Sequence, residues 1–484
     1  MGSPAIFFTY ALMFKLFGQT MAAIPMTDII VSMVTTFLIY LLAKFIWGTK
    51  FGFVSALFFA IFSSGVRLGM HSAGDIAFGT FWYIAQRETF MLPLIVASIY
   101  LTISAVKFES KVWKLTLAGF LGGLAFVYKF PSLIFFACIM GYLSWSIFSS
   151  KDRVMVKHIV SKNLALISGF VLALIPFILF FSIKGALFDM TDIIFGYVYS
   201  VYGKLSHDTL TVISTGLRRT FFLAQENFIL WIFFISAPIY VVLNDRTKEN
   251  LLVVAWGFAS VFYIISHKEF FGYHYLMILP PFSVLAGYGI IKAIGPKLNF
   301  RQILTIETGK VIIIFVVLAN LFTFITIVHP HYTKFLFYLT GKITKNQYYD
   351  YFNAYPKHDY SFPADYMAAQ YILKNTDPDD LIYSLGGIES VIYFLTKRKS
   401  PSRFIFSWIL FYYAHGQTKE AVEYREELLG NLKTKTPKYI ITVRSLETFK
   451  PFENIYKFIN SNYYLEKTFP DDRFVYAFKN NSKK

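Results

Sequence analysis

Ten runs of about 15 to 25 mostly apolar residues occupy the first two thirds of the chain. They fall at roughly 22–46, 50–64, 88–106, 115–129, 131–148, 163–183, 226–243, 250–266, 275–294 and 310–328. A soluble protein would alternate polar with apolar faces over such distances, and these runs do not. They predict a multi-pass α-helical membrane protein with about ten transmembrane helices. Ahead of them Met1–Gly18 is apolar and aromatic, with one basic residue near its far end. It lacks the basic start and cleavage site of a signal peptide, and its character suits a helix lying at the membrane interface.

The pattern changes after His329-Pro330-His331. Short β-type runs at 381–384, 438–443, 463–468 and 473–478 alternate with helical patterns at 363–375, 388–397, 417–434 and 450–461. Pro401 and Pro437 punctuate them. The expected organisation is a membrane unit over 1–330 and a soluble α/β domain over 331–484. Charged residues make up about 11% of the first part and about 25% of the second, the latter an ordinary soluble value.

The loops at 44–50, 107–114, 149–163, 244–249 and 292–310 hold 15 Lys and Arg, against 8 in the alternate set at 65–87, 129–130, 184–225 and 267–274. The first set is therefore expected on the cytoplasmic side, and the C-terminal domain on the outside. By the same alternation Met1–Gly18 starts outside, which implies a further helix upstream of it.

Composition excludes other classes. The chain of 484 residues is 56% hydrophobic and 20% aromatic, with 55 Phe and 33 Tyr, so it is neither disordered nor collagenous. The net charge of +17 is scattered between apolar runs and forms no basic face, which argues against a nucleic-acid partner. A single cysteine, Cys138, rules out an intrachain disulfide and a cysteine-based metal site. The motifs of P-loop, dinucleotide-binding, zinc-protease and serine-hydrolase enzymes are all missing. No spacing of His and carboxylates defines a metal site, so a divalent cation is left open as a cofactor.

What remains is ionisable residues at membrane depth or at the outer boundary, which are costly there and are functional candidates. Arg67, His71, Asp75, Arg87 and Glu88 cluster between two spans, where Arg87 and Glu88 could equally cap a helix and neutralise one another. Lys129 sits in a tight external turn, suited either to snorkelling or to holding a phosphate. Gly119 and Gly123 just before it have helix-packing spacing. The segment 268–281 carries Lys268, Glu269, His274 and Tyr275 ahead of Pro280-Pro281, read as a broken helix. The external loop 184–226 offers Asp189, Asp192, Tyr197, Tyr199, Tyr202, His207, Asp208, Arg218 and Arg219, a set that suits sugar binding or an interfacial anchor. Asp28, inside a span, is a weaker candidate.

Five stretches together resemble the GT-C superfamily of lipid-linked-sugar glycosyltransferases, in particular dolichyl-phosphate-mannose protein mannosyltransferases and aminoarabinose transferases. They are GSPAIFFTYALMFKLFG, TDIIVSMVTTFLIYLLAKFIWG, QRETFMLPLIVASIYL, GFLGGLAFVYKFPSLIFF and HYLMILPPFSVLAGYG. The resemblance implies an inverting transferase using a polyprenyl-phosphate sugar on the non-cytoplasmic face of a bacterial or archaeal plasma membrane, with a glycan, lipid or protein acceptor. It implies Lys129 at the donor phosphate with Arg87, His274 and Tyr275, and Glu88 in the catalytic set. Arg218, Arg219 and Tyr199 are the expected sugar or acceptor contacts. In the family the catalytic aspartate precedes the stretch with which this chain opens, so Asp75 is the nearest substitute base. Competing readings are a lipid or polysaccharide transporter and a non-catalytic membrane partner.

Overall fold

The structure, a computed structural model, describes residues 4–20, 23–67, 85–108, 112–148, 155–192, 195, 209–226, 228–268, 270–294, 329–351, 361–386, 390–407, 409–412 and 419–479. Its membrane part comprises α1 (Ala5–Phe17), α2 (Ala23–Trp47), α3 (Thr49–Arg67), α4 (Arg87–Lys107), α5 (Trp113–Tyr128), α6 (Leu133–Phe148), α7 (Met155–Ile183), α8 (Leu187–Thr191), α9 (Thr209–Glu226), α10 (Phe228–Asn244), α11 (Lys248–Ser266) and α12 (Leu279–Ile294). Among the described residues six helical segments are long and apolar enough to cross a membrane, and four shorter apolar helices accompany them. Nine of the ten expected spans are thus helical; the tenth, 310–328, lies outside the described residues.

Several polar residues of α2 are satisfied locally. In α2 the hydroxyls of Thr27, Thr35 and Thr36 donate to the carbonyls of Ala23, Val31 and Ser32, one turn back, at 2.7 to 2.9 Å. That removes the cost of an unmet hydroxyl in hydrocarbon. Gly48 at φ 107° takes the left-handed conformation that lets α2 reverse directly into α3. The glycines of α5 act as the spacing suggested. A Cβ on Gly119 would stand 1.8 Å from the Leu166 carbonyl oxygen of α7, and one on Gly169 of α7 would stand 1.8 Å from that of Thr116. The two backbones are therefore in direct contact.

Two readings need correction. The stretch 184–226 is not simply a loop, since α8 and the 18-residue α9 occupy its ends, and Leu210, Ile213, Leu217 and Phe221 recur with helical period. Nor do Pro280-Pro281 break a helix. They lie in the first turn of α12, where a missing N–H costs nothing, after a 3₁₀ segment at Gly272–Ile278.

One end of the bundle is bound by a polar network. Trp47 Nε1 donates to Asn250 at 2.7 Å, while Tyr288 and Lys292 both donate to Asp245, at 2.6 and 2.8 Å. These residues belong to or adjoin the Lys/Arg-rich turns.

The C-terminal region adds α13 (His329–Leu339), α14 (Lys345–Tyr351), α15 (Phe362–Asn375), β1 (Ile382–Leu385), α16 (Ser390–Thr396), α17 (Ile409–Tyr412), α18 (Lys419–Thr434), β2 (Tyr439–Thr442), α19 (Glu453–Asn462), β3 (Tyr463–Phe469) and β4 (Arg473–Phe478). The sheet order is β1-β2-β4-β3, with β1 and β2 parallel and the other pairs antiparallel. Alternate side chains feed two cores. Ile382, Tyr439, Ile441, Val475 and Ala477 join α15 and α16, whereas Tyr383, Ile440 and Tyr476 join α18 and α19. Arg473, fully buried, donates to Asp365 of α15 at 2.6 Å.

Candidate active site

Helix direction brings the chemistry together at the other end of the bundle. Glu88 lies in the first turn of α4, where the helix dipole favours a carboxylate, and Lys129 caps the C-terminus of α5, where it favours a cation. The two helices run antiparallel, so residues 41 apart in sequence meet: the Lys129 ammonium donates to Glu88 Oε1 in a buried ion pair. The pairing of Arg87 with Glu88 that the sequence allowed is replaced by this one. Arg87 stays half-buried beside it and adds a second positive charge to its field.

One residue of α11 and two from the chain that follows it surround the pair. The hydroxyl of Tyr263, fully buried, donates to the same Glu88 Oε1 at 3.1 Å, and its ring lies 5.6 Å from the Lys129 ammonium. The Tyr273 ring lies 5.4 Å away, so the cation has two aromatic rings and a carboxylate around it. His267, just past the α11 span, sits with Nδ1 2.7 Å from the Tyr263 carbonyl. Burial, reinforced by the Lys129 charge, pulls its imidazole down to about 4. A neutral ring then donates from Nδ1 and leaves Nε2 as an acceptor.

The chain between α11 and α12 is held in an unusual shape. Lys268 and Phe270 both have positive φ, at 57° and 49°, a conformation that L residues adopt only when surroundings enforce it. The turn delivers His274, buried, to pack tilted against His267 with ring centroids 4.3 Å apart and edge-on against Tyr273 at 4.6 Å. Tyr275 turns instead to α9, where its hydroxyl and that of Thr220 are 2.8 Å apart. Buried Glu88 Oε2, His267 Nε2 and His274 Nδ1 have no hydrogen-bond partner among the described residues. Buried polar atoms of this kind call for a functional explanation.

The entry to α4 is fixed by α1 and α2. Ala85, at φ 51°, donates its N–H to Asp28 at 2.8 Å and accepts from the Tyr10 hydroxyl at 2.8 Å. Asp28 therefore holds the turn three residues before Glu88. Thr9 and Tyr128 hydroxyls, 2.5 Å apart, tie α1 to the end of α5 beside Lys129.

Of the expected site residues, Glu88, Lys129, Arg87 and His274 converge. Tyr275 meets α9 at Thr220, Arg219 of that helix is half-buried, and Arg218 is exposed. Asp75, His71 and Tyr199 lie outside the described residues, as do Tyr197, Tyr202, His207, Asp208 and Glu269. Tyr263 and His267 were missed. Their signal was a polar pair four residues apart, one helical turn, at the end of an apolar span. Among the described residues no three His, Cys, Asp or Glu side chains come together as a metal site.

Residues 2–182 match the family described as dolichyl-phosphate-mannose-protein mannosyltransferase. The fold is similar to that of ArnT from Cupriavidus metallidurans bound to undecaprenyl phosphate, with a TM-score of 0.60 at 11% identity over 98% of this chain and 87% of that one. The chain is thus similar to ArnT in fold and to the mannosyltransferase family in its N-terminal part. ArnT in its apo state gives a TM-score of 0.54 at 12% identity, again over 98% and 87% of the two chains. The Archaeoglobus fulgidus oligosaccharyltransferase tethered with an acceptor peptide gives 0.50 at 12% identity, over 99% of this chain and 66% of that one. No curated protein sequence matches. Within this fold, the Glu88–Lys129 pair lies in the segment that carries the mannosyltransferase match.

Proposed function

We propose that the protein transfers a sugar from a polyprenyl-phosphate carrier to a hydroxyl-bearing acceptor at the extracytoplasmic face, inverting the anomeric centre. The observation that carries this reading is the buried Glu88–Lys129 pair with Arg87 beside it, inside the mannosyltransferase-like segment and at one end of the spans. That end is opposite the network at Trp47, Asp245 and Lys292, where the basic turns cluster, which supports an outward-facing site. ArnT, whose fold is similar, has been seen with undecaprenyl phosphate.

The acceptor oxygen attacks the anomeric carbon as the bond from that carbon to the phosphate oxygen breaks. The electron pair leaves with the phosphate, and the acceptor proton passes to a carboxylate. Lys129 and Arg87 are the cations that offset charge on the departing phosphate. Glu88, already tied to an ammonium and a phenol, is poorly placed to take a proton and serves as a positioning residue for Lys129. Asp75 is assigned the role of base. The three buried polar atoms of Glu88, His267 and His274 are suited to sugar hydroxyls.

The test uses the full chain in lipid nanodiscs, with radiolabelled polyprenyl-phosphate sugars and extracted envelope lipids, glycans and proteins as acceptors. Asp75→Asn is expected to abolish turnover while leaving polyprenyl-phosphate binding intact, and Lys129→Met to weaken that binding at least tenfold. Absence of transfer with every donor, together with undiminished binding by Lys129→Met, overturns the proposal.

A further inference from the structure

Helix α9 divides into three strips at the 100° per residue of an α-helix. Leu210, Ile213, Leu217 and Phe221 form an apolar strip about 80° wide, and they are 75%, 51%, 67% and 61% exposed. Thr211, Ser214 and Arg218 form an exposed polar strip beside it. The third strip faces the site. A Cβ on Gly216 would stand 2.4 Å from the Phe270 ring, and Thr220 meets the Tyr275 hydroxyl at 2.8 Å.

A helix in water has no use for an exposed apolar strip, and a transmembrane helix has no use for an exposed polar one. Having both, with protein on the third side, is the condition of a helix lying along the boundary between acyl chains and headgroups. The apolar strip continues into a lipid-facing surface, because α10 begins two residues after α9 ends and exposes Ile232, Ile235 and Ile239.

We infer that α9 is a bilayer-interface helix, with the lipid surface as its partner, and that the membrane thereby presses Gly216 and Thr220 against the 270–275 turn of the active site. The lipid boundary is then a structural part of the site: the strained turn between Lys268 and Phe270 is backed by a helix whose own position is set by membrane depth.

The chain's single cysteine makes the test direct. In a Cys138→Ala background, nitroxide labels are placed one at a time at residues 211, 213, 214, 217 and 218. The full-length protein is placed in nanodiscs of phosphatidylcholine and phosphatidylglycerol. Labels at 213 and 217 should be relaxed by oxygen and protected from a water-soluble nickel complex, and labels at 211, 214 and 218 should show the reverse. If 213 and 217 are as accessible to nickel as 214, the strip faces water and the inference is wrong. If they are shielded from both agents, protein covers the strip, a second copy of the chain included, and the inference is equally wrong. Leu217→Glu provides a second readout: a label at 213 is expected to gain at least threefold in nickel accessibility, and no change overturns the assignment.

Discussion

Replacing one member of the Glu88–Lys129 pair at a time separates what each charge does. The two side chains are 1% and 11% exposed, so neither charge has water to fall back on. Lys129→Met leaves a buried carboxylate whose remaining hydrogen bond is from the Tyr263 hydroxyl at 3.1 Å, with the half-buried Arg87 as the nearby positive charge, since Oε2 has no partner among the described residues. Stranding a buried charge in this way costs about 3–5 kcal/mol. Glu88→Gln is milder, because Gln keeps the shape and an acceptor for both Lys129 and Tyr263. A charge-assisted bond becomes an ordinary one, and the loss is about 1–2 kcal/mol. The double variant strands no charge, and replacing an entire buried pair is often close to neutral. Its destabilisation should therefore fall short of the sum of the singles by at least about 2 kcal/mol. The assay is the heat-unfolding midpoint of the four proteins in identical nanodiscs, followed by tryptophan fluorescence. Additive shifts would refute the reasoning, because they mean that the two charges do not sense one another.

Three further outcomes are expected. Gly169→Ala places a methyl 1.8 Å from the Thr116 carbonyl and should cost about 1–3 kcal/mol or more, read as lost monodisperse yield; Gly141→Ala, with nothing within 4 Å, is the matched control. Asp365→Ala strands the fully buried Arg473 and should lower protection of the β2–β4 amides in hydrogen exchange by about 3–5 kcal/mol, while Asp380→Ala, whose Lys438 pair is partly exposed, should cost under about 1 kcal/mol. His267, held to about 4 when folded, binds fewer protons than the unfolded chain between that value and about 6.5, so stability should rise with pH across this window by no more than about 1.4 kcal/mol per unit. His267→Asn should flatten that slope in midpoints measured from pH 4 to 8.

Much of this was readable from local pattern. The strand at 473–478 and the helix ending at 375 fall where alternation and period placed them, because each is set by which face of a few residues is buried. Glu88 and Lys129 were both marked by their cost at membrane depth. That they are partners was not readable, since the contact depends on α4 and α5 lying antiparallel. Tyr263 and His267 were hidden for another reason: an aromatic inside an apolar run looks like core until a buried carboxylate is found against its hydroxyl. The helix α9 was masked by the length of the segment around it, which reads as a loop until the helical recurrence of Leu210, Ile213, Leu217 and Phe221 is isolated.

The contact between α5 and α7 bears on how the site responds to the bilayer. At Gly119 and Gly169 carbonyls take the place where side chains would ordinarily stand, so the two backbones pack directly there and little can give when their crossing angle changes. Spans adjust to bilayer thickness mainly by tilting. Here α5 cannot tilt without carrying the 29-residue α7 with it. A change in membrane thickness therefore reaches Lys129 as rotation of a two-helix body, while Glu88 follows α4. The ion pair stands where those two movements meet, which makes the thickness of the host membrane a variable acting directly on the geometry of the cation.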